Sequence, residues 1–343
     1  MKKSMFVLPA LAALAACGGG GSSSGAQIKV VGSSTVYPFT TAVAEEFQRA
    51  NPGTSVIVES TGTGAGIKLF CAGIGAQHPD LVNASRQMKA SEFESCSQAG
   101  VNQVIELPIG IDGLTLIAAR NAPDLNVTRT DIYRALAANP YGEGPNRAQT
   151  WRDVNPSLPA IRIRVLGPPP TSGTRDSLNE LIMEKGCDED PRMKALKEQD
   201  SERHKDVCTR IREDGAFVEA GENDNLLVQK VNSDPNALGV LGYSFLEANQ
   251  DRVKPIAIGG VPPTNETISN LSYPGARRLY VYAKGEHIQA KPAIREFIAA
   301  YARMWGPGGA LQRRGLVPFA GDDATAASQQ AQTLQPLNRA SLK

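Results

Sequence analysis

Four short polar turns carry most of the chemistry in this chain: Ser33-Ser34-Thr35, Thr61-Gly62-Thr63-Gly64, Ala84-Ser85-Arg86 and Thr171-Ser172-Gly173-Thr174-Arg175. Small hydroxyls, glycines and two arginines supply hydrogen-bond donors without bulk, which suits a compact oxyanion. A serine or threonine at a helix start is, taken singly, an ordinary N-cap, and Gly62, Gly64 and Gly66 permit a tight turn. Four such turns with two arginines are improbable as independent caps. At least three lead into helices, whose first N–H groups and dipole favour anions. The glycine spacing matches neither the dinucleotide fingerprint nor the P-loop.

Other chemistries find little support. No G-x-S-x-G elbow surrounds Ser34 or Ser172, and no histidine lies near either in the sequence. His78, His204 and His287 stand far apart in polar surroundings and read as surface residues. There is no C-x-x-C and no His/Asp cluster with metal-ligand spacing. No catalytic residue, metal or cofactor is therefore expected. With 36 basic against 35 acidic residues the net charge is +1, which gives no footprint for nucleic acid.

The turns must be held by elements, and the chain supplies them in a repeating order. Ile28 to Val31 reads as a strand, after which Phe39, Val43 and Phe47 recur every four residues until Asn51-Pro52-Gly53 ends the helix. "SVIVEST" and "PDLVNASRQM" repeat the strand and polar turn, with helical starts at Ile67 and, in capping-box spacing, at Ser91 and Glu94. Strand, turn and helix in alternation imply an α/β fold with a mainly parallel sheet, and ligands of such sheets lie beyond the carboxyl ends of the strands. "VIELPIGIDGLTLIAAR" reads as one kinked strand passing between two lobes. "AIRIRVLG" delivers the chain to "PPPTSGTRDSL", where Pro168 to Pro170 fix an extended segment that adds no N–H donors. A helix then runs to Gly186, "ARRLYVYAK" is a late strand, "AIREFIAAYARMW" a late amphipathic helix, and the end from Gly321 a poorly specified tail.

The 343 residues suggest two lobes. The N-terminus has Lys2 and Lys3, an apolar stretch over residues 5–16, and Leu14-Ala15-Ala16-Cys17, which resembles the bacterial lipobox. Residues 1–16 read as a signal peptide and residues 17–26 as a Gly/Ser tether lipidated at Cys17. Export agrees with the remaining four cysteines. Among three possible connectivities, sequence proximity favours Cys71 with Cys96 and Cys187 with Cys208.

In order along the chain, Gly32-Ser33-Ser34-Thr35-Val36-Tyr37-Pro38, the Thr63 turn, Asn83-Ala84-Ser85-Arg86, Ser172-Gly173-Thr174-Arg175-Asp176 and "GLVPF" resemble the phosphate-binding proteins of Pst-type ABC importers. The resemblance implies a type II periplasmic-binding-protein fold: two lobes, each a mainly parallel sheet flanked by helices, with the ligand in the interlobe cleft. It places domain I over 27–110 and 270–330, domain II over 111–269, and a tail over 331–343. It implies a monomeric receptor, lipid-anchored in the periplasm or at the cell surface, that captures inorganic phosphate and delivers it to a permease. A phosphate sensor, a surface protein or a binder of another small oxyanion on the same fold is the alternative. Phosphate is expected against Ser34, Thr35, Thr63, Ser85, Arg86, Ser172, Gly173, Thr174 and Arg175. Asp112 is expected to accept a ligand proton or to orient an arginine. Two departures stand out: Pro168 occupies a position where many relatives have arginine, and Arg86 one where some have aspartate.

Overall fold

A computed structural model describes residues 27–221 and 223–342. The signal, Cys17 and the tether lie outside the described residues. Ten strands form one hydrogen-bonded system: β1 (Gln27–Gly32), β2 (Ser55–Ser60), β3 (Leu81–Ala84), β4 (Val104–Ala119), β5 (Asn126–Val127), β6 (Val165–Gly167), β7 (Phe217–Glu219), β8 (Leu238–Gly242), β9 (Val253–Ile258) and β10 (Ala276–Lys284). The path runs β2-β1-β3-β10-β4-β8-β6-β7, with β9 beside β4 and β5.

Pairing within this path explains the two lobes. β1 is parallel to β2 and β3, and β6 is parallel to β7 and β8. Between these blocks β4 and β10 run antiparallel to their neighbours. The first part of β4, to Gly113, pairs with β10, and the part from Leu114 turns to β8 and β9. The mostly apolar sequence of β4, with Glu106 and Asp112 as its only charged residues, fits this central place, since a strand covered on both faces needs no polar alternation.

Helices cover the sheets through their apolar stripes. α1 (Tyr37–Ala50) buries Phe39, Val43 and Phe47, the spacing of four expected of one helical face. α2 (Thr63–Phe70) starts at Thr63, one turn before Ile67, and buries Ile67 and Phe70. α3 (Ala90–Gln98) has Lys89 at its N-cap, and Glu92, rather than Glu94, reaches back to the Lys89 N–H. α4 (Arg129–Leu136) is capped by the Thr128 hydroxyl. Gly66 lies where an added Cβ would come within 2.4 Å of the Gly32 Cα, so α2 packs directly on the β1 turn.

Three expectations need correction. The end from Gly321 is a helix over Gly321–Thr333, burying only Ala327 and Ala331, and Leu337 N–H then donates to the Val104 carbonyl. "AIRIRVLG" contributes only Val165–Gly167 to the sheet. Two histidines are buried, not superficial: His204 beside Asp188 and His287 beside Asp80, each at 2.7 Å. Cys71–Cys96 and Cys187–Cys208 are joined as disulfides.

Candidate functional site

The polar turns after β1, β2, β3 and β6 all fall at strand carboxyl ends and converge between the lobes. β10 enters the same region from the other direction. Because it runs antiparallel to β3, its first residues lie beside the carboxyl ends of the parallel strands, and Arg277 pairs in register with Asp112 of β4.

Arg277 is the cation at the centre of the hydroxyls. Its Nη2 donates to Thr35 Oγ1 at 2.9 Å and Ser177 Oγ at 2.8 Å, and its Nε to Asp112 Oδ2 at 3.2 Å. Nη1 donates to Glu180 Oε2. Asp112 also accepts from Ser177 Oγ at 2.7 Å, so the carboxylate and the serine together fix the plane of the guanidinium. Arg277 was not among the residues singled out from sequence. A signal was present, since it lies in phase with the buried Leu279 and Val281 along β10, and an arginine on a buried face requires polar partners.

A second chain of contacts crosses the cleft. Ser85 N–H donates to Thr63 Oγ1 at 3.1 Å, the two hydroxyls are 2.9 Å apart, and Ser85 Oγ donates to Glu180 Oε2 at 3.1 Å. Ser34 Oγ donates to Asp176. Burial pushes the Asp176 carboxyl above its ordinary value; the Ser34 bond opposes this and the nearby Glu180 charge adds to it. Where the lobes touch, a Cβ on Gly173 would come within 2.8 Å of the Thr35 Cα, and Thr35 Oγ1 donates to the Gly173 carbonyl at 3.3 Å. Glycine is needed there because any side chain would wedge the two turns apart.

The remaining expected residues have local partners. Ser172 Oγ accepts from Thr174 N–H at 3.2 Å, the N-cap of the helix that follows. Arg86 makes a two-pronged ion pair with Glu92 at 2.8 and 2.9 Å. Arg175 donates to the Pro168 carbonyl at 3.0 Å and stacks 4.5 Å from the centre of the Phe217 ring. Its buried Nε has no hydrogen-bond partner among the described residues, and burial lowers its pKa. Both guanidiniums therefore sit at the margin, with Arg175 bracing the proline segment.

The expected residues divide among adjoining cavities. One of about 450 Å³ is lined by Ser34, Thr35, Asp112, Ser172, Gly173 and Thr174. One of about 850 Å³ takes in Thr63, Asp176 and Glu180. A third, of about 470 Å³, takes in Ser85, Arg86, Glu180 and Arg277. Cys187, His204 and Cys208 are the one close His/Cys group among the described residues, but the two sulfurs are bonded to each other, so neither is a thiolate ligand.

Comparison with known proteins places this architecture. The model of the PBP superfamily domain matches residues 19–302. Protein SphX of Synechococcus elongatus is 33% identical over 306 residues, covering 87% of this chain and 79% of its own. The phosphate-binding protein PstS of Staphylococcus haemolyticus is 30% identical, covering 85% of this chain and 84% of its own. Among solved structures, a possible phosphate binding protein from Planctomyces limnophilus superposes with a TM-score of 0.70 at 25% identity, covering 90% of this chain and 98% of that one. An ABC-type phosphate transport receptor from Vibrio cholerae shares the fold, with a TM-score of 0.58 at 21% identity over 85% of this chain and 100% of its own. The chain belongs to the PBP superfamily, within the family of the phosphate-binding protein PstS and protein SphX.

Proposed function

We propose that this chain is the extracytoplasmic receptor of a phosphate ABC importer, holding inorganic phosphate between its lobes and presenting it to a permease. The observation that carries the reading is Arg277, set among Thr35, Ser177 and Asp112 where four hydroxyl-bearing turns converge. The names of the relatives supply the ligand. Arg277 and the Ser34, Thr35, Thr63, Ser85, Ser172 and Thr174 hydroxyls are the proposed donors, with the Gly173 backbone beside them and Asp112 orienting the guanidinium. Arg86 and Arg175 border the cleft. The proposed lobes are 27–110 with 270–330, and 111–269. The protein works as a monomer without catalysis, tethered through lipid on Cys17.

Magnitudes are consistent with a receptor. Hydrogen bonds to a charged group contribute about 1.5–3 kcal/mol each. The ceiling of about 1.5 kcal/mol per heavy atom for a five-atom ligand corresponds to roughly micromolar dissociation. Isothermal titration of phosphate-stripped protein is the direct test. Saturable heat with phosphate and none with sulfate is expected; binding of sulfate or molybdate without phosphate would overturn the ligand assignment. Metabolic labelling with a fatty acid, lost in Cys17→Ala, checks the anchor.

A further inference from the structure

The donors at the centre of the cleft are already engaged by a carboxylate of the protein itself. Glu180 Oε2 accepts from both Ser85 Oγ and Arg277 Nη1. One oxygen therefore bridges a lobe I hydroxyl and the β10 guanidinium, the pair of bonds that one oxygen of a bound phosphate would make. We propose that Glu180 is a tethered competitor for the ligand: its carboxylate holds these donors and must swing away for the anion to enter. This inference rests on the phosphate reading.

Three observations favour displacement of Glu180 over its neighbours. Its side chain is 45% exposed, against 9% for Arg277 and 17% for Asp112, so of these three it has solvent to move into. It projects from the π-helical turn Leu178–Met183, a helix irregularity that frequently marks functional positions. With Lys89, Glu184 and Lys197 it also lines both the cavity containing Thr63 and the one containing Ser85 and Arg277. Withdrawing it frees Ser85 Oγ and Arg277 Nη1 at the boundary of the two. Charge points the same way: Asp112 already neutralises Arg277, while Asp176 and Glu180 add two further carboxylates. Lys89, Lys197 and Lys205 in the cavity walls draw an anion in, and the departure of Glu180 removes the carboxylate that faces the donors most directly.

The Glu180→Gln and Glu180→Ala variants, titrated with inorganic phosphate beside the parent protein, test this. Both are expected to bind phosphate at least about tenfold more tightly. In Glu180→Ala, millimolar acetate should occupy the vacated position and weaken phosphate binding, while leaving the parent unaffected. If the parent binds phosphate and both variants bind equally or more weakly, Glu180 is a ligand contact or a bystander; this inference falls and the phosphate reading stands. A silent parent with binding variants supports the inference and keeps the reading. Silence in all three, with circular dichroism showing folded protein, removes both.

Discussion

The cleft and the base of lobe I each bury carboxylates among cations, and they close in opposite ways. At the base, Asp80 is fully buried and accepts from His287 Nδ1 at 2.7 Å, Lys291 Nζ at 2.8 Å and Lys29 N–H at 2.8 Å. His287 Nε2 accepts from Gly75 N–H at 2.9 Å, which fixes the proton on Nδ1. Lys284, wholly buried, donates to the Gly73 carbonyl and lies 4.9 Å from the Phe70 ring; burial pulls its pKa down to about 8. One acid there has an excess of donors. Around Arg277 the balance reverses, with Asp112 and Glu180 both on its guanidinium and Asp176 near by. The first cluster is complete without a ligand and belongs to stability. The second carries surplus acceptors and a half-exposed member, as expected of groups that exchange partners.

The widest separation between the two should come from Asp80→Asn. Removing one partner from a buried ion cluster costs about 3–5 kcal/mol, so urea unfolding should show a loss of that order with phosphate affinity unchanged. Burial alone would raise the Asp80 carboxyl, but the bonds from His287, Lys291 and Lys29 N–H hold it below its ordinary 3.8. A depressed acid stabilises the fold above its unfolded value and loses that contribution as pH falls through the folded one. The gap between parent and variant should therefore be full above pH 3.8 and shrink below it. A cost under about 1 kcal/mol would remove the cluster from the stability side.

Arg277→Met is the reciprocal change. Losing a charged donor to the ligand should lower phosphate affinity by about 10²–10³-fold, the equivalent of roughly 3–4 kcal/mol. Arg277→Lys should recover only part, because an ammonium lacks the planar fork that serves Asp112 and the hydroxyls together. Titration calorimetry measures both, and an unaltered affinity in Arg277→Met would move the centre of the site elsewhere.

The disulfides extend the comparison to each lobe. Cys71–Cys96 and Cys187–Cys208 close loops of 25 and 21 residues in sequence separation, so each stabilises by about 3 kcal/mol in the chain-entropy account. Double serine variants at either pair should lose about that much. Only the Cys187–Cys208 variant should also lose affinity, by a fewfold, because its helix Ser201–Thr209 carries His204 and Lys205 into the wall of the larger cavity. Equal affinity losses in both variants would mean that general loosening, not local placement, governs the cleft.

What was legible in the sequence follows from what is local. The strand-turn-helix units and the positions of the polar turns follow from apolar periodicity and Gly/Pro punctuation, and these survive folding because neighbouring residues enforce them. The passage of β4 between lobes was readable from a long extended run broken by Pro108, Gly110 and Gly113. Position α3 slipped because Glu92 and Glu94 both offer a carboxylate near the first turn, and backbone geometry chooses between them. The Gly321–Thr333 helix escaped because it buries alanines, which leave little amphipathic signature. Asp112 was singled out without its partner: the register that sets Arg277 opposite it joins residues 165 apart in sequence. That long-range pairing, rather than any single residue type, was the illegible part of the site.

The smallest expected effect concerns Arg86 and Arg175, the cations that sequence suggested for the ligand. Arg86 is held by Glu92, whose own carboxyl stays below its ordinary value because bonds from Arg86 and Lys89 outweigh burial. Arg175 faces Pro168 and Phe217, so its loss acts first on the proline segment. Arg86→Lys and Arg175→Lys should each change phosphate affinity by less than about threefold, a fraction of the factor expected at Arg277. Arg175→Lys should cost about 1 kcal/mol of stability through the weakened cation–π contact. A loss of about 100-fold in either variant would mean that the arginine leaves its partner and turns onto the anion when phosphate binds. Arg86 would then break its pair with Glu92, and the cleft would exchange two internal ion pairs, at Glu92 and at Glu180, for one ligand.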